Sequence, residues 1–239
     1  MSHAHGETLA PASTAGLDIV LTIEHTESSL PGGYPTMGAV RQTYAADGSY
    51  TYSGFGGPNH FTDRGTFVYA RTGDATAKED AMQTLGDRTL PYHMEYVFAT
   101  PTSGRWKQDF AGGIVVFQGS FALSRADERE PWAPETLAGA TVTLMECDRP
   151  QPCRLETVQH GDDTWMASVA GRQGRRSGTW RAKRLSARSL VEEATRADGA
   201  LVVRSFTFTH RAGGVWKATD ASDGSRHEGW FRLSRDVPR

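Results

Sequence analysis

The 239-residue chain has little of what usually announces a function: two cysteines, no apolar run of about 18 residues, and no surplus of either charge, with 26 Lys and Arg against 28 Asp and Glu. Each shortage excludes a class. Without a long apolar run there is no helical membrane span. A formal net charge of −2 leaves no electrostatic footprint for nucleic acid or for an anionic membrane surface. Residues 1–14 contain neither a basic n-region nor an apolar h-region, so no signal peptide is expected and the expected location is cytoplasmic. Cys147 and Cys153 flank a proline-containing turn. In a cytosolic chain they are expected as reduced thiols rather than as a disulfide, and no further ligands stand near them for a metal.

The motifs of common chemistries are missing as well. There is no P-loop, no strand-linked G-x-G-x-x-G, no H-E-x-x-H, no G-x-S-x-G and no C-x-x-C. No cofactor is expected. The glycines of Gly54-Phe55-Gly56-Gly57 read as a turn or loop between strands.

What the chain does contain is a repeat. A shift of 110 aligns Tyr96–Arg125 with Phe206–Arg235 at ten identities, among them Gly104/Gly214, Trp106/Trp216, Gly119/Gly229 and Phe121/Phe231. Chance would give about two. A shift of 113 pairs Thr51 with Thr164, Tyr52 with Trp165, and Gly65-Thr66-Phe67 with Gly178-Thr179-Trp180. It also pairs Thr76-x-x-Glu79 with Ser189-x-x-Glu192, which read as capping boxes opening one short helix per unit, Ala77–Leu85 and Leu190–Ala197. Elsewhere the period is two. Leu17, Ile19, Leu21 and Ile23 alternate with polar residues, as do Tyr92, Met94, Tyr96 and Phe98 around His93 and Glu95. Short strands with regular turn glycines predict an all-β chain of internally duplicated antiparallel β-barrel units. Gly119 and Gly229 suit a bulge or sharp bend that helps a sheet curl. The expected organisation is a disordered tail over 1–14, a first barrel unit over 15–126, a linker over 127–136 and a second unit over 137–239.

The recurring Gly-x-Trp of Gly104-Arg105-Trp106, Gly178-Thr179-Trp180 and Gly214-Val215-Trp216 resembles the lipocalin-type barrel motif. The hairpins ending in Gly-x-Phe resemble small barrels of the allene-oxide-cyclase type. The resemblance implies a small apolar molecule held inside a β-barrel, for transport or for isomerisation, cyclisation or dehydration without a cofactor. It transfers no catalytic residue.

His93 and Glu95 share one strand face. If that face lines a cavity, the pair suits general acid/base work, the carboxylate fixing the imidazole tautomer; if it faces solvent, it is a polar strand face. His60, in a loop that could cover a barrel mouth, is the alternative. His25 and His160 border turns, where exposed histidines are ordinary. Tyr52, Tyr92, Tyr96, Trp106, Trp165, Trp180 and Trp216 are rigid amphipathic side chains suited to lining an apolar pocket or to filling two cores. The basic run from Arg172 to Arg188 suits either an anionic ligand or a solvated face. The units also differ: Asp63 and Phe110 in the first stand where Arg176 and Asp220 stand in the second. The leading expectation is a cofactor-independent barrel enzyme acting on a small hydrophobic, polyketide- or terpenoid-like molecule. A non-catalytic carrier and a pocketless interaction module are the alternatives. No nucleic-acid, membrane or metal partner is expected, and a homodimer is left open.

Overall fold

The structure, a computed structural model, describes residues 8–147 and 152–235. The chain divides into two compact units, the second beginning at Arg129 apart from the short segment Phe55–Pro58. The first holds β1 (Leu17–Ser28), β2 (Ala39–Tyr44), β3 (Ser49–Phe55), β4 (Thr62–Arg71), β5 (Thr76–Leu85), β6 (Arg88–Thr100), β7 (Ser103–Phe110) and β8 (Val115–Arg125). They form a closed antiparallel barrel in sequence order, β1 pairing with both β2 and β8. The second unit repeats it with β9 (Ala140–Glu146), β10 (Arg154–His160), β11 (Thr164–Val169), β12 (Arg175–Ser186), β13 (Ser189–Arg196), β14 (Leu201–His210), β15 (Gly213–Asp220) and β16 (Arg226–Arg235), closed by β9 against β16. Full closure removes exposed sheet edges, and eight strands leave an interior that side chains can fill or one small ligand can share.

The alternation read from the sequence sets what fills each interior. In β6 Tyr92, Met94, Tyr96 and Phe98 point inward and are buried. Ile19, Leu21, Ile23, Trp106 and Phe121 meet them from β1, β7 and β8. Leu144, Trp165, Phe206, Phe208, Trp216 and Phe231 do the same in the second barrel.

Three expectations are corrected. Among the described residues there is no helix: Ala77–Leu85 and Leu190–Ala197 lie in β5 and β13. Their Ala, Glu, Lys and Gln content favours helix, but Ala77, Glu79, Ala81 and Gln83 alternate with exposed residues, and ladders on both sides override local propensity. The supposed capping carboxylates, Glu79 and Glu192, instead point into the barrels and are fully buried. Second, Cys147 and Cys153 form a disulfide. The register pairing Glu146 with Arg154 places the next two residues opposite one another, Cα atoms 4.2 Å apart. Third, the ladders match Tyr50, not Tyr52, with Trp165, because Tyr50 faces Gly65 and Trp165 faces Gly178.

The repeat also reaches further than the two shifts. The N–H groups of Leu9 and Ala10 both donate to the Asp74 carbonyl, at 2.8 and 2.9 Å; those of Trp132 and Ala133 donate to the Ala187 carbonyl at the same distances. Ala10-Pro11 and Ala15-Gly16 thus correspond to Ala133-Pro134 and Ala138-Gly139, at a shift of 123. Ala10 and Ala133 are each buried in the core of their own barrel. Residues 8–14 and 131–136, expected in a tail and a linker, are equivalent segments packed across one barrel end.

At Gly119 the β1–β8 ladder shifts register between Ile23 and His25. A Cβ there would lie 1.8 Å from the Thr22 carbonyl oxygen, which is backbone and cannot step aside. Gly119→Ala is therefore expected to cost about 1–3 kcal/mol by overpacking, read as a lower urea midpoint with unchanged slope. A midpoint equal to wild type would contradict the close approach.

Candidate functional site

Ala10 packs into the first barrel where β4 turns into β5. The opposite end, bounded by the loops after β1, β3, β5 and β7, holds a cavity of about 420 Å³. Its walls are mostly apolar or aromatic: Ile23, Tyr52, Phe61, Trp106, Phe110 and Phe117. The Trp106 indole N–H is occupied by the carbonyls of Ser120 (3.0 Å) and Thr22 (3.3 Å).

Asn59, Asp63, Gln83 and Gln108 bring polar atoms to this lining. Asn59 is committed to the loops, donating to the Met37 carbonyl at 2.8 Å and accepting from the Tyr34 hydroxyl at 3.0 Å. Gln83 Nε2 makes a long contact of 3.4 Å to Asp63 Oδ2. Gln108 is 1% exposed, and among the described residues its Oε1 has no hydrogen-bond partner. A buried unpaired amide oxygen costs free energy unless something donates to it.

Glu79, not itself part of that lining, sits two inward positions along β5 from Gln83 and is surrounded by phenols. Tyr92 donates to its Oε1 at 2.8 Å; Tyr44 and Tyr96 lie 2.7 and 3.2 Å from Oε2. Gln42 bridges two of them, its amide 2.6 Å from Tyr92 Oη and 2.8 Å from Tyr44 Oη. Tyr44 has one hydroxyl proton and two acceptors within reach, Gln42 Oε1 and Glu79 Oε2. Turning the Gln42 amide over moves this deficit to Tyr92 without removing it. A proton on Glu79 supplies the missing donor. Burial pushes the Glu79 carboxyl up, the three phenol hydrogen bonds offset part of the rise, and the result is about 7. Burial likewise pushes the Tyr44, Tyr92 and Tyr96 hydroxyls well above the usual phenol range.

The second barrel meets the same problem with charge. Glu192, the counterpart of Glu79, takes the His160 Nε2 at 2.9 Å and the Arg204 guanidinium at 3.1 Å. Met94 faces Glu79 at the place where Arg204 faces Glu192. Burial would raise Glu192, but the Arg204 charge and the His160 hydrogen bond outweigh it, and the carboxyl lies below its ordinary range. Ion pairs also occupy the positions matching the first barrel's cavity. Arg176 holds Glu156 at 2.7 Å, and Arg196 holds Asp220 at 2.6 Å. The basic run is thus largely engaged: Arg181 with Glu193, Arg184 with Glu135, and Arg188 over the Trp132 ring.

Of the residues singled out from the sequence, Tyr52 and Trp106 line the cavity, while Tyr92 and Tyr96 hold Glu79. Trp165 and Trp216 are buried in the second core, and Trp180 packs edge-on against His160. His160, expected at an exposed turn, is buried. His93 and Glu95 face outward. His93 contacts Asp80 at 2.7 Å and Glu95 at 3.8 Å, and borders an outer groove with Val68, Met82 and Asp109. His60 is exposed between two cavity residues, Asn59 and Phe61, and does not itself line the cavity. Sequence reasoning missed Glu79, Gln83, Gln108 and the cavity role of Asp63. Two-residue spacing from Ala77 to Gln83 carried the signal.

Because native Glu79 keeps its proton to about pH 7 and the unfolded carboxyl releases it near 4.5, the native state binds more protons in that window. Stability therefore falls as pH rises from 4.5 to 7, by about 3 kcal/mol from this group. In urea unfolding the difference between wild type and Glu79→Gln should be flat below pH 4.5, fall across the window and level off above it. Parallel profiles would refute a proton held on Glu79.

Set against known proteins, the chain matches no protein-family model, no curated protein and no solved structure, so its function is read from the geometry of the first barrel.

Proposed function

We propose that the first barrel is a binding barrel, taking up one small, mostly apolar molecule in its open end. The observation that carries this reading is the 420 Å³ cavity itself, walled by aromatic and aliphatic side chains and holding a few polar groups at fixed places. That is the usual construction of a small-molecule site. The Gly-x-Trp resemblance to lipocalin-type barrels agrees with it.

A carrier is favoured over the isomerase, cyclase or dehydratase reading. Acid/base turnover requires a proton donor or acceptor within hydrogen-bond reach of the ligand. His93 and Glu95 lie on the outer face, and Glu79 is enclosed by its phenols rather than exposed to the cavity. Asp63 is the carboxylate of the lining, and a single long amide contact gives it no partner for a proton relay. The Cys147–Cys153 bridge favours work in an oxidising compartment over the cytosol.

Native mass spectrometry of the purified protein, followed by calorimetric titration with a panel of apolar compounds, tests the reading. One ligand per chain is expected, with Trp106 fluorescence responding. Leu85→Trp, which narrows the cavity, should weaken binding roughly tenfold or more, about 1.4 kcal/mol; His93→Ala should leave it unchanged. Absence of any retained or acquired ligand, or wild-type affinity in Leu85→Trp, would reject the cavity as a binding site.

A further inference from the structure

We infer that the ligand of this cavity is an organic cation, an ammonium group carried on an apolar or aromatic body; the inference rests on the binding reading above and adds the chemistry of the ligand's head. Four observations on one cavity lead to it.

Asp63 puts a carboxylate into the wall. Its cross-strand neighbour on β3 is Tyr52, and among the described residues its side chain has one hydrogen-bond contact, the 3.4 Å approach of Gln83, a neutral amide. Among the described residues no cation pairs with it. Three other carboxylates drawn into the barrels do have such partners: Asp18 with Arg41 at 2.8 Å, Glu156 with Arg176, and Asp220 with Arg196. A carboxylate drawn out of water without a cation is costly, and a ligand that brings one removes the cost.

Gln108 supplies the second observation. Its side chain belongs to the same lining, it is 1% exposed, and no donor among the described residues reaches its Oε1. An ammonium has three N–H groups and no acceptor, so it can satisfy a carboxylate and a carbonyl together. The third observation is the ring content of the wall. Tyr34, Tyr52, Phe61, Phe110 and Phe117 surround the space, and ring faces attract cations, most strongly when water is excluded.

The fourth is the comparison between barrels. The place of Asp63 is taken in the second barrel by Arg176, already bound to Glu156. That of Gln83 is taken by Arg196, bound to Asp220. Where the second barrel pairs these positions internally, the first leaves the Asp63 carboxylate beside an empty space. The same charge repels fatty acids and other apolar carboxylates, so the site selects by sign as well as by shape.

Three probes of nearly equal shape separate the possibilities: tryptamine, indole-3-ethanol and indole-3-acetate, titrated calorimetrically into the full chain at pH 7. Tryptamine should bind roughly tenfold or more tighter than the alcohol, as a charge-assisted hydrogen bond implies, and the acetate should give no measurable binding. Asp63→Asn keeps the shape and removes the charge; it should bring tryptamine to within about threefold of the alcohol. Gln108→Leu should weaken both. The inference is overturned if the alcohol or the acetate binds wild type as well as the amine, or if Asp63→Asn retains the amine preference. If the wider apolar panel binds but none of the three indoles does, the inference fails and the cavity reading stands. If nothing binds, both fall. Wild-type selectivity decides the matter even if the Asp63 variant does not fold.

Discussion

A carboxylate buried in the middle of an eight-stranded barrel must be given either a proton or a positive charge, and much of what distinguishes the two units follows from which one it receives. The backbone problem is identical, since Glu79 and Glu192 occupy matching places on β5 and β13. In the second barrel Arg204 and His160 supply charge and hydrogen bonds. In the first, Met94 stands in place of the arginine, and the phenols of Tyr44, Tyr92 and Tyr96 close around an acid that keeps its proton near neutrality. A phenol cage needs large rings arranged around one point. Those rings fill the barrel's middle and form the solid base that an open-ended cavity requires.

The charge solution spreads in the second barrel, where ion pairs continue toward the positions that are hollow in the first. Arg196 bonds Asp220 and Arg176 bonds Glu156, and long paired side chains fill the volume their partners define. The first barrel has Gln83, Phe110 and Asp63 at the corresponding positions, shorter or rigid groups that cannot reach across to one another as a closed set. Space is left over, and so is one charge. Duplication makes such divergence tolerable, because each barrel is a separate core and a loss of packing in one does not hollow the other.

Much of this architecture could be read from the residues alone. Alternation of Tyr92, Met94, Tyr96 and Phe98 with His93 and Glu95 declared a two-faced strand, and the self-match declared two units, because side-chain period and repeat identity are local properties. The bend at Gly119 was readable for the same reason. Strand against helix at 76–85 was not, since Ala, Glu, Lys and Gln there prefer helix and only the ladders with β4 and β6 decide otherwise. The disulfide depends on register between β9 and β10, which no residue announces. The packed ends at Ala10 and Ala133 were hidden because loops of different length break the repeat into blocks at different shifts. Buried polar groups were the hardest to see, as Glu79 carries the same letter whether it caps a helix or sits in a barrel.

The protonated state of Glu79 also bears on the cavity above it. Coulomb interaction is strong where water is scarce, so an ionised Glu79 would add a second negative charge to the barrel interior and make the charge at the mouth less distinct. With the proton retained and three phenols oriented around it, the middle of the barrel is neutral, and Asp63 is the charge that a molecule in the open end meets. The two carboxyls thus differ by environment: one is made neutral by burial and organises the core, and the other, half-buried in the cavity wall, faces the open space. The same residue chemistry gives an enclosed acid or a cavity-facing carboxylate according to how many donors the surrounding strands bring within reach.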